Sequence, residues 1–484
     1  MAQTSSPQES GEDSSEKVIS LYQKRIKIYP RAVEGTFMTW RWALVWLTQI
    51  VFYGLPWLTW NDRQAVLFDL GTRRFYLFGV VLYPQDFIYL TGLLIVSAYA
   101  LFLFTAVAGR LWCGYACPQT VYTEIFLWFE RKIEGDRVAR MRLDQGPWNA
   151  NKVWRKTAKQ VVWISFALWT GFTFVGYFTP IKQLAHEAVT LGFGPWELFW
   201  VFFYAFATWG NAGFLREQVC KYMCPYARFQ SAMFDKDTLV ISYDTERGDP
   251  RGSRSKKADP KAQGLGDCID CGLCVQVCPT GIDIRNGLQY ECIGCAACVD
   301  VCDGVMEKMN YPKGLVRYAT QNSMKEHLKP KDIVRRIFRP RVMIYTAILV
   351  AMVVGMGASL VMRSPVRVDV VRDRSSLARI VEDGVVENVY RLQVMNATES
   401  AQRYKVTASG LEGIKVSMKE AQVELQSTEA RWVVVSLQIP PQVAMKLQDQ
   451  QPDAVQKVHI KVEQITGEQA GASVEEKTTF LLPK

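Results

Sequence analysis

Residues 268–279 read CIDCGLCVQVCP, and residues 292–303 read CIGCAACVDVCD. Each stretch spaces its cysteines as C-x2-C-x2-C-x3-C. In this type of run the fourth cysteine ligates the other of two cubane clusters. The spacing therefore predicts two 4Fe–4S clusters. One takes Cys268, Cys271, Cys274 and Cys302; the other takes Cys292, Cys295, Cys298 and Cys278. A zinc site would set two C-x2-C pairs far apart. A disulfide framework is at odds with a segment that reads as cytosolic. The first run ends Cys278-Pro279 and the second ends Cys302-Asp303. The ligands are unaffected, but the surroundings of Cys302 differ.

The other four of the twelve cysteines form a second repeat, CGYACP at 113–118 and CKYMCP at 220–225. Proline favours the first position of a helix. That puts Cys117 and Cys224 at helix N-caps, where the dipole favours thiolate. Two cysteines four apart also suit a plain buried helix face, and that reading stays open. Four thiolates at one point would make a soft site for Cu(I), zinc or iron–sulfur. Cys113, Cys117, Cys220 and Cys224 are thus the candidate catalytic residues, holding copper or a further metal centre.

Five apolar runs, about 39–59, 86–108, 160–179, 196–215 and 341–362, each come near the ~20 residues that cross a bilayer. Glu197 and Asn211 interrupt the fourth. Trp40, Trp42, Trp57, Trp60, Trp196 and Trp200 flank these runs as an interfacial belt would. Basic residues gather before the first run, between the second and third (Arg110 to Lys159), and before the fifth. Those segments are expected in the cytoplasm, so the chain starts inside and ends outside a bacterial inner membrane. Ala2 to Glu16 is polar, reads as disordered and lacks a cleavable signal pattern. The net charge of +10 tracks span ends without a nucleic-acid motif, which argues against nucleic acid and for membrane lipid as a partner. The cysteine repeat falls just beyond spans two and four, and packing of those spans would bring its four thiols together. Residues 121–131 read as a helix lying at the interface. Residues 61–83 read as an outer β-hairpin around Gly71.

The fold class is a multi-domain membrane protein: an α-helical bundle of about five spans, a two-cluster ferredoxin module and a C-terminal immunoglobulin-like β-sandwich. The expected parts are 1–37, a cytoplasmic segment; 38–215, four spans with the first cysteine box; 216–339, a cytoplasmic region with the second box, a basic linker at 249–262 and the ferredoxin module near 262–310; 340–363, the fifth span; and 364–484, a periplasmic domain. In the last part seven β-rich runs recur between Val366 and Leu482, at sandwich spacing. It has no cysteine, and His459 is its single histidine. With only His186 and His327 elsewhere, paired haem ligands within the spans are lacking. Met352 and Met356, four apart, suit a soft metal contact or helix packing equally.

In this order the parts resemble the cytochrome c oxidase accessory family called CcoG, also FixG or RdxA. AVLFDL at 65–70 and YPQDF at 83–87 resemble that family's first loop. The resemblance implies maturation of the copper centre of a cbb-type oxidase, by reduction of Cu(II) to Cu(I). It also implies a cytosolic electron donor, copper ions, and oxidase-assembly or copper-transport proteins as partners. Two other readings remain: an electron relay or quinol dehydrogenase for another membrane enzyme, and a redox-sensing assembly scaffold.

Overall fold

The computed structural model describes residues 27–256, 263–328, 330–373, 378–450, 455–467 and 469–483. The polar stretch 2–16 and part of the 249–262 linker lie outside them. Helix α1 spans Thr36–Gly54. The carboxylate of Asp300, on the distant Ala297–Met309 helix, accepts the backbone N–H of Phe37 (3.2 Å) and Met38 (2.8 Å). It satisfies donors that a helix start leaves bare. A side chain at Gly35 would collide with Asp300, so glycine there permits the docking.

Helix α2 is Phe87–Ala108, α3 is Leu111–Tyr115, α4 is Pro118–Glu134, α5 is Arg137–Gln145 and α6 is Ala150–Val175. Helix α7 is Ile181–Thr190 and α8 is Pro195–Thr208. Two π-helical segments, Trp209–Leu215 and Val219–Met223, lead into α9, Pro225–Met233. A further long helix is Pro340–Val361.

All five apolar runs are helical. Among the described residues three helices are long and apolar enough to cross a membrane: Pro84–Ala108, Pro195–Leu215 and Pro340–Val361, with mean hydropathies of 2.2, 1.3 and 2.2. No residue in the apolar windows of the first and last is fully buried by protein, as suits helices with lipid-facing surface. Helices α1 and α6 fall short because they carry charge inward. Arg41 of α1 and Lys152 and Lys159 of α6 are all buried.

The spans pair differently from the sequence expectation. Helix α2 packs on Pro340–Val361, and α8 packs on α6. Gly171 allows the second contact, since any Cβ there would strike the carbonyl of Val201. Met356 packs where Gly92 leaves room, so its role is helix packing. Helix α4 is not a surface-lying helix. It buries Val121, Phe126 and Leu127 together with Glu124, Glu130 and Glu134. Glu134 meets Lys156 (2.9 Å) and Lys159 (2.8 Å); Glu130 meets Arg216 (2.9 Å) and Arg140 (3.3 Å). Much of the basic loop that the orientation argument counted is therefore engaged by these carboxylates.

The expected hairpin is present as Val66–Asp69 against Arg74–Leu77, and Val80–Leu82 adds a third strand. The C-terminal part is a sandwich of two antiparallel sheets. One runs Lys415–Ser417, Ala430–Ile439, Val386–Asn396, Val366–Arg372, with Arg379–Ile380 beside it. The other runs Val423–Leu425, Gln402–Ser409, Gln456–Gln464, Ser473–Phe480. Tyr390, Leu392, Tyr404, Leu437, Ile460 and Phe480 are fully buried between them.

The small sheet docks on the sandwich. Tyr83 donates its hydroxyl to the carbonyls of Asn396 (2.8 Å) and Thr428 (3.1 Å). Asp86, at the start of α2, grips Arg363 (2.5 Å) and Arg367 (3.0 Å) just after the Pro340–Val361 helix. At the other end of these two helices, Arg339 donates to the carbonyl of Ala106 (2.7 Å). The cysteine-rich region docks there, where the N–H of Leu239 meets the carbonyl of Val107 (3.0 Å). Sandwich and cysteines thus occupy opposite ends of the helices.

Asp86 is almost fully buried, and removing one partner of a buried pair costs about 3–5 kcal/mol. Replacing Asp86 with alanine is expected to speed proteolytic release of the sandwich near residue 363. Release at the parental rate would mean that the fork does not hold the two parts together.

Candidate metal centre

The ferredoxin-like region is built on a two-stranded sheet, Val240–Tyr243 against Val316–Ala319, covered by the Ala297–Met309 helix. Around it the eight cysteines separate into two groups. One cavity is lined by Cys268, Cys271, Cys274 and Cys302 with apolar walls that include Leu273, Val305 and Leu315. A second is lined by Cys278, Cys292, Cys295 and Cys298, with Ile241, Ile284 and Ile293; Cys274 reaches its edge. Electrostatic contacts follow the same division. Cys302 feels Cys274, Cys268 and Cys271, whereas Cys292 feels Cys295 and Cys278. The last cysteine of each run has crossed to the other set, as the spacing predicts.

Burial pushes the thiols of Cys292 and Cys302 up to about 12 and that of Cys274 up to about 11. Thiols buried in this way are poor nucleophiles. They become anionic when metal cations replace their protons. This donor set, eight cysteines in two apolar-walled cavities, fits two 4Fe–4S clusters. The sets differ in exposure: Cys271 is open to solvent, whereas Cys295 is buried.

The two C-x-Y-x-C-P boxes also converge. Cys117 is the N-cap of α4 and Cys224 the N-cap of α9, each followed by proline at the first helical position. Cys220 lies within electrostatic range of Cys117, Cys113 and Cys224. Helices α2 and α8 do not bring this about. Instead α9 folds back onto the end of α2, where Tyr226 bonds Thr105 and Arg110 bonds the carbonyl of Ala227. The thiolate expectation is reversed at Cys117. Burial pushes Cys113 up to about 11 and Cys220 up to about 12, and it also raises Cys117 despite its N-cap position. Desolvation outweighs the dipole. Among the described residues no three Cys, His, Asp or Glu side chains converge tightly enough to hold a single metal ion. The eight ferredoxin-type cysteines instead line two cavities.

The first box touches the second cysteine set directly. A Cβ on Gly114 would stand 2.8 Å from Cys295 Cα and 2.9 Å from its nitrogen. Cys113 packs in one apolar cluster with Cys295 and Cys298. Arg41 donates to the Gly114 carbonyl (3.1 Å) and pairs with Glu124 (3.1 Å). Tyr318 donates to the Gly294 carbonyl (2.6 Å). Gln230, fully buried, offers its amide nitrogen to Cys113 Sγ at 3.4 Å. A cavity opens between Cys220 and Thr280, walled by Arg41, Thr120, Glu124 and Ile293. The sequence reading missed Arg41, Gly114 and Gln230. An arginine inside an otherwise apolar run was the available signal for Arg41. Of the histidines, His459 pairs with Glu475 across a strand (3.0 Å) and His327 with Glu246 (3.4 Å). Neither histidine lines a cysteine cavity.

Family models match three parts of the chain: a 4Fe–4S binding domain at 90–135, a 4Fe–4S dicluster domain at 215–321 and the "IG-like fold at C-terminal of FixG" at 356–483. The nitrogen fixation protein FixG of Rhizobium meliloti is 39% identical over 422 residues, covering 81% of this chain and 80% of the relative. The chain belongs to the FixG/RdxA family. Within it, Protein RdxA and Protein RdxB of Cereibacter sphaeroides are each 39% identical, over 409 and 408 residues. These matches cover 82% and 83% of this chain and 86% and 85% of the relatives. This FixG/RdxA member is a membrane-associated iron–sulfur redox protein.

Valine at Gly114 would drive the first box off Cys295. The expected result is loss of about half the iron, that of one cluster, measured by iron analysis and visible absorption. Full iron loading would show that the loop yields without cost.

Proposed function

We propose that this chain is a membrane-bound cupric reductase, which supplies Cu(I) for the copper centre of a cbb-type cytochrome c oxidase. The contact of Gly114 with Cys295 carries the reading, because it joins a four-thiol group to an electron site. In this proposal Cys268, Cys271, Cys274 and Cys302 hold one 4Fe–4S cluster, and Cys292, Cys295, Cys298 and Cys278 hold the other. Bound clusters supply single electrons, the number that turns Cu(II) into Cu(I). A reduced cytosolic donor meets the chain at the exposed Cys271. Cys113, Cys117, Cys220 and Cys224 receive the copper ion by drawing closer round it than they stand here, since soft sulfur ligands favour Cu(I). Gln230 orients Cys113, and the cavity beside Cys220 admits the ion.

The N-terminus and the clusters face the cytoplasm in this reading, and the sandwich faces the periplasm. Two observations support it. Arg335, Arg336 and Arg339 lie at the cysteine end of the helices. The first-loop sheet packs with the sandwich at the opposite end. The sandwich is then the docking part for oxidase-assembly or copper-transport proteins.

A specific observation favours a second occupant of the four-thiol group. The 4Fe–4S binding-domain match at 90–135 contains Cys113 and Cys117 as its only cysteines. A third iron–sulfur cluster there would bring the iron count from about eight to about twelve per chain.

Replacing Cys113 and Cys220 together with serine tests the assignment. Cu(II) reduction, followed with a Cu(I)-specific chelator, is expected to fall to background while about eight iron atoms remain. Undiminished reduction would remove copper from this site. Quinol oxidation by the parent protein, with no reduction of Cu(II), would replace the proposal with an electron relay.

A further inference from the structure

The two cysteine sets stand in different fields of charge. Arg110 follows α2 and is buried. Its guanidinium donates to the carbonyl of Ala227, and its Nε has no hydrogen-bond partner. Among the described residues no carboxylate forms an ion pair with it. It lines one cavity with Cys292 and Gly294, and a Cβ on Gly294 would stand 3.1 Å from the Arg110 carbonyl; its charge also reaches Cys113 and Cys220 in the boxes. A buried cation without a counter-charge is expensive. Its natural counter-charge is a ligand set that becomes anionic on binding metal. Arg41 adds a second buried cation beside Cys295, against the single carboxylate Glu124.

The solvent-facing set is arranged otherwise. Arg285 reaches Cys274, but it is engaged by Asp283 (2.7 Å) and by Asp270. Arg254 meets the carbonyl of Cys268 at 3.4 Å and that of Gly266 at 2.6 Å. Asp303, in the place where the first run has proline, adds negative charge next to Cys302. Charges near the exposed Cys271 are also screened by water and salt, whereas those at Arg41 and Arg110 are not.

We propose that Arg110, with Arg41, makes the inner set (Cys278, Cys292, Cys295, Cys298) the more stable seat for an added electron. An electron received at the solvent-facing set from a reduced donor then comes to rest beside Gly114 and the first box. Arg110 is a positioning residue, acting through its charge on ligands it does not replace. The inference rests on the iron–sulfur reading of the eight cysteines and not on copper as the acceptor.

The test is a redox titration of the full-length protein in detergent, followed by electron paramagnetic resonance after iron has been counted. In Arg110→Gln one of the two centres is expected to shift to lower potential while the other stays in place. Arg110→Lys, which keeps the charge, should titrate close to the parent. Asp303→Asn should raise the potential of the other centre. If Arg110→Gln retains its iron and both centres titrate as in the parent, the inference is overturned. If that variant loads no iron, Arg41→Gln decides: a downward shift of one centre supports the inference, and unmoved potentials overturn it. A parent protein without about eight iron atoms would defeat the iron–sulfur reading and the inference together, whereas unmoved potentials in loaded protein defeat the inference alone.

Discussion

The buried ion pair between Arg41 and Glu124 is the junction on which the rest of the molecule turns. Both side chains are about 5% exposed, at 5% and 6%. One guanidinium reaches helix α4 through Glu124 and helix α3 through the Gly114 carbonyl, and it stands close to Cys295. Loss of Glu124 would leave the Arg41 guanidinium bare in a dry place, at a cost of about 3–5 kcal/mol, whereas Glu124 keeps Arg131 as a second partner. The helix that carries Arg41 is also the one whose N-terminus is closed by Asp300. Two carboxylate contacts, one on each side of a single turn of α1, therefore clamp the cysteine-rich region against the helical bundle. Such clamping suits a function in which reacting groups must keep fixed separations.

Period and spacing made much of this legible in the sequence. The eight-cysteine run points to an exchange between its two halves, and the cysteines line two cavities grouped in that way. Strict alternation, as in Gln402–Ser409, exposed the sandwich, and every one of the seven β-rich runs lies on a strand. What stayed hidden was too short or too three-dimensional. Val423–Leu425 has only three residues, which cannot display a period of two. The Pro441–Gln450 helix sits among strands and interrupts no pattern strongly. The pairing of α2 with Pro340–Val361 depends on where Gly92 and Met356 meet, and hydropathy carries no such information.

Charged residues carry more than one role here. Arg110, Lys156 and Lys159 belong to the basic loop whose charge orients the chain in the sequence reading. In the fold Arg110 is enclosed between two sulfur sites, and the lysines answer carboxylates on α4. The periodicity of α4 holds the explanation: Glu124, Glu130 and Glu134 fall on the face it buries. Reading the acidic residues along with the basic ones would have revealed it as an internal helix. The boxes teach a similar lesson. Proline correctly placed Cys117 and Cys224 at helix starts, but burial, which a linear motif does not record, governs how firmly Cys113, Cys117 and Cys220 keep their protons.

The fork of Asp86 with Arg363 and Arg367 has a mechanical meaning. Helix α2 begins at that fork and ends just before Arg110, 22 residues later, or about 33 Å at 1.5 Å per residue. The Pro340–Val361 helix lies alongside and is fastened at its own far end through Arg339 and Ala106. The pair forms a stiff strut, pinned at both ends. A push on the sandwich is therefore delivered to the bend after Ala108 and is not dissipated in a slack tether.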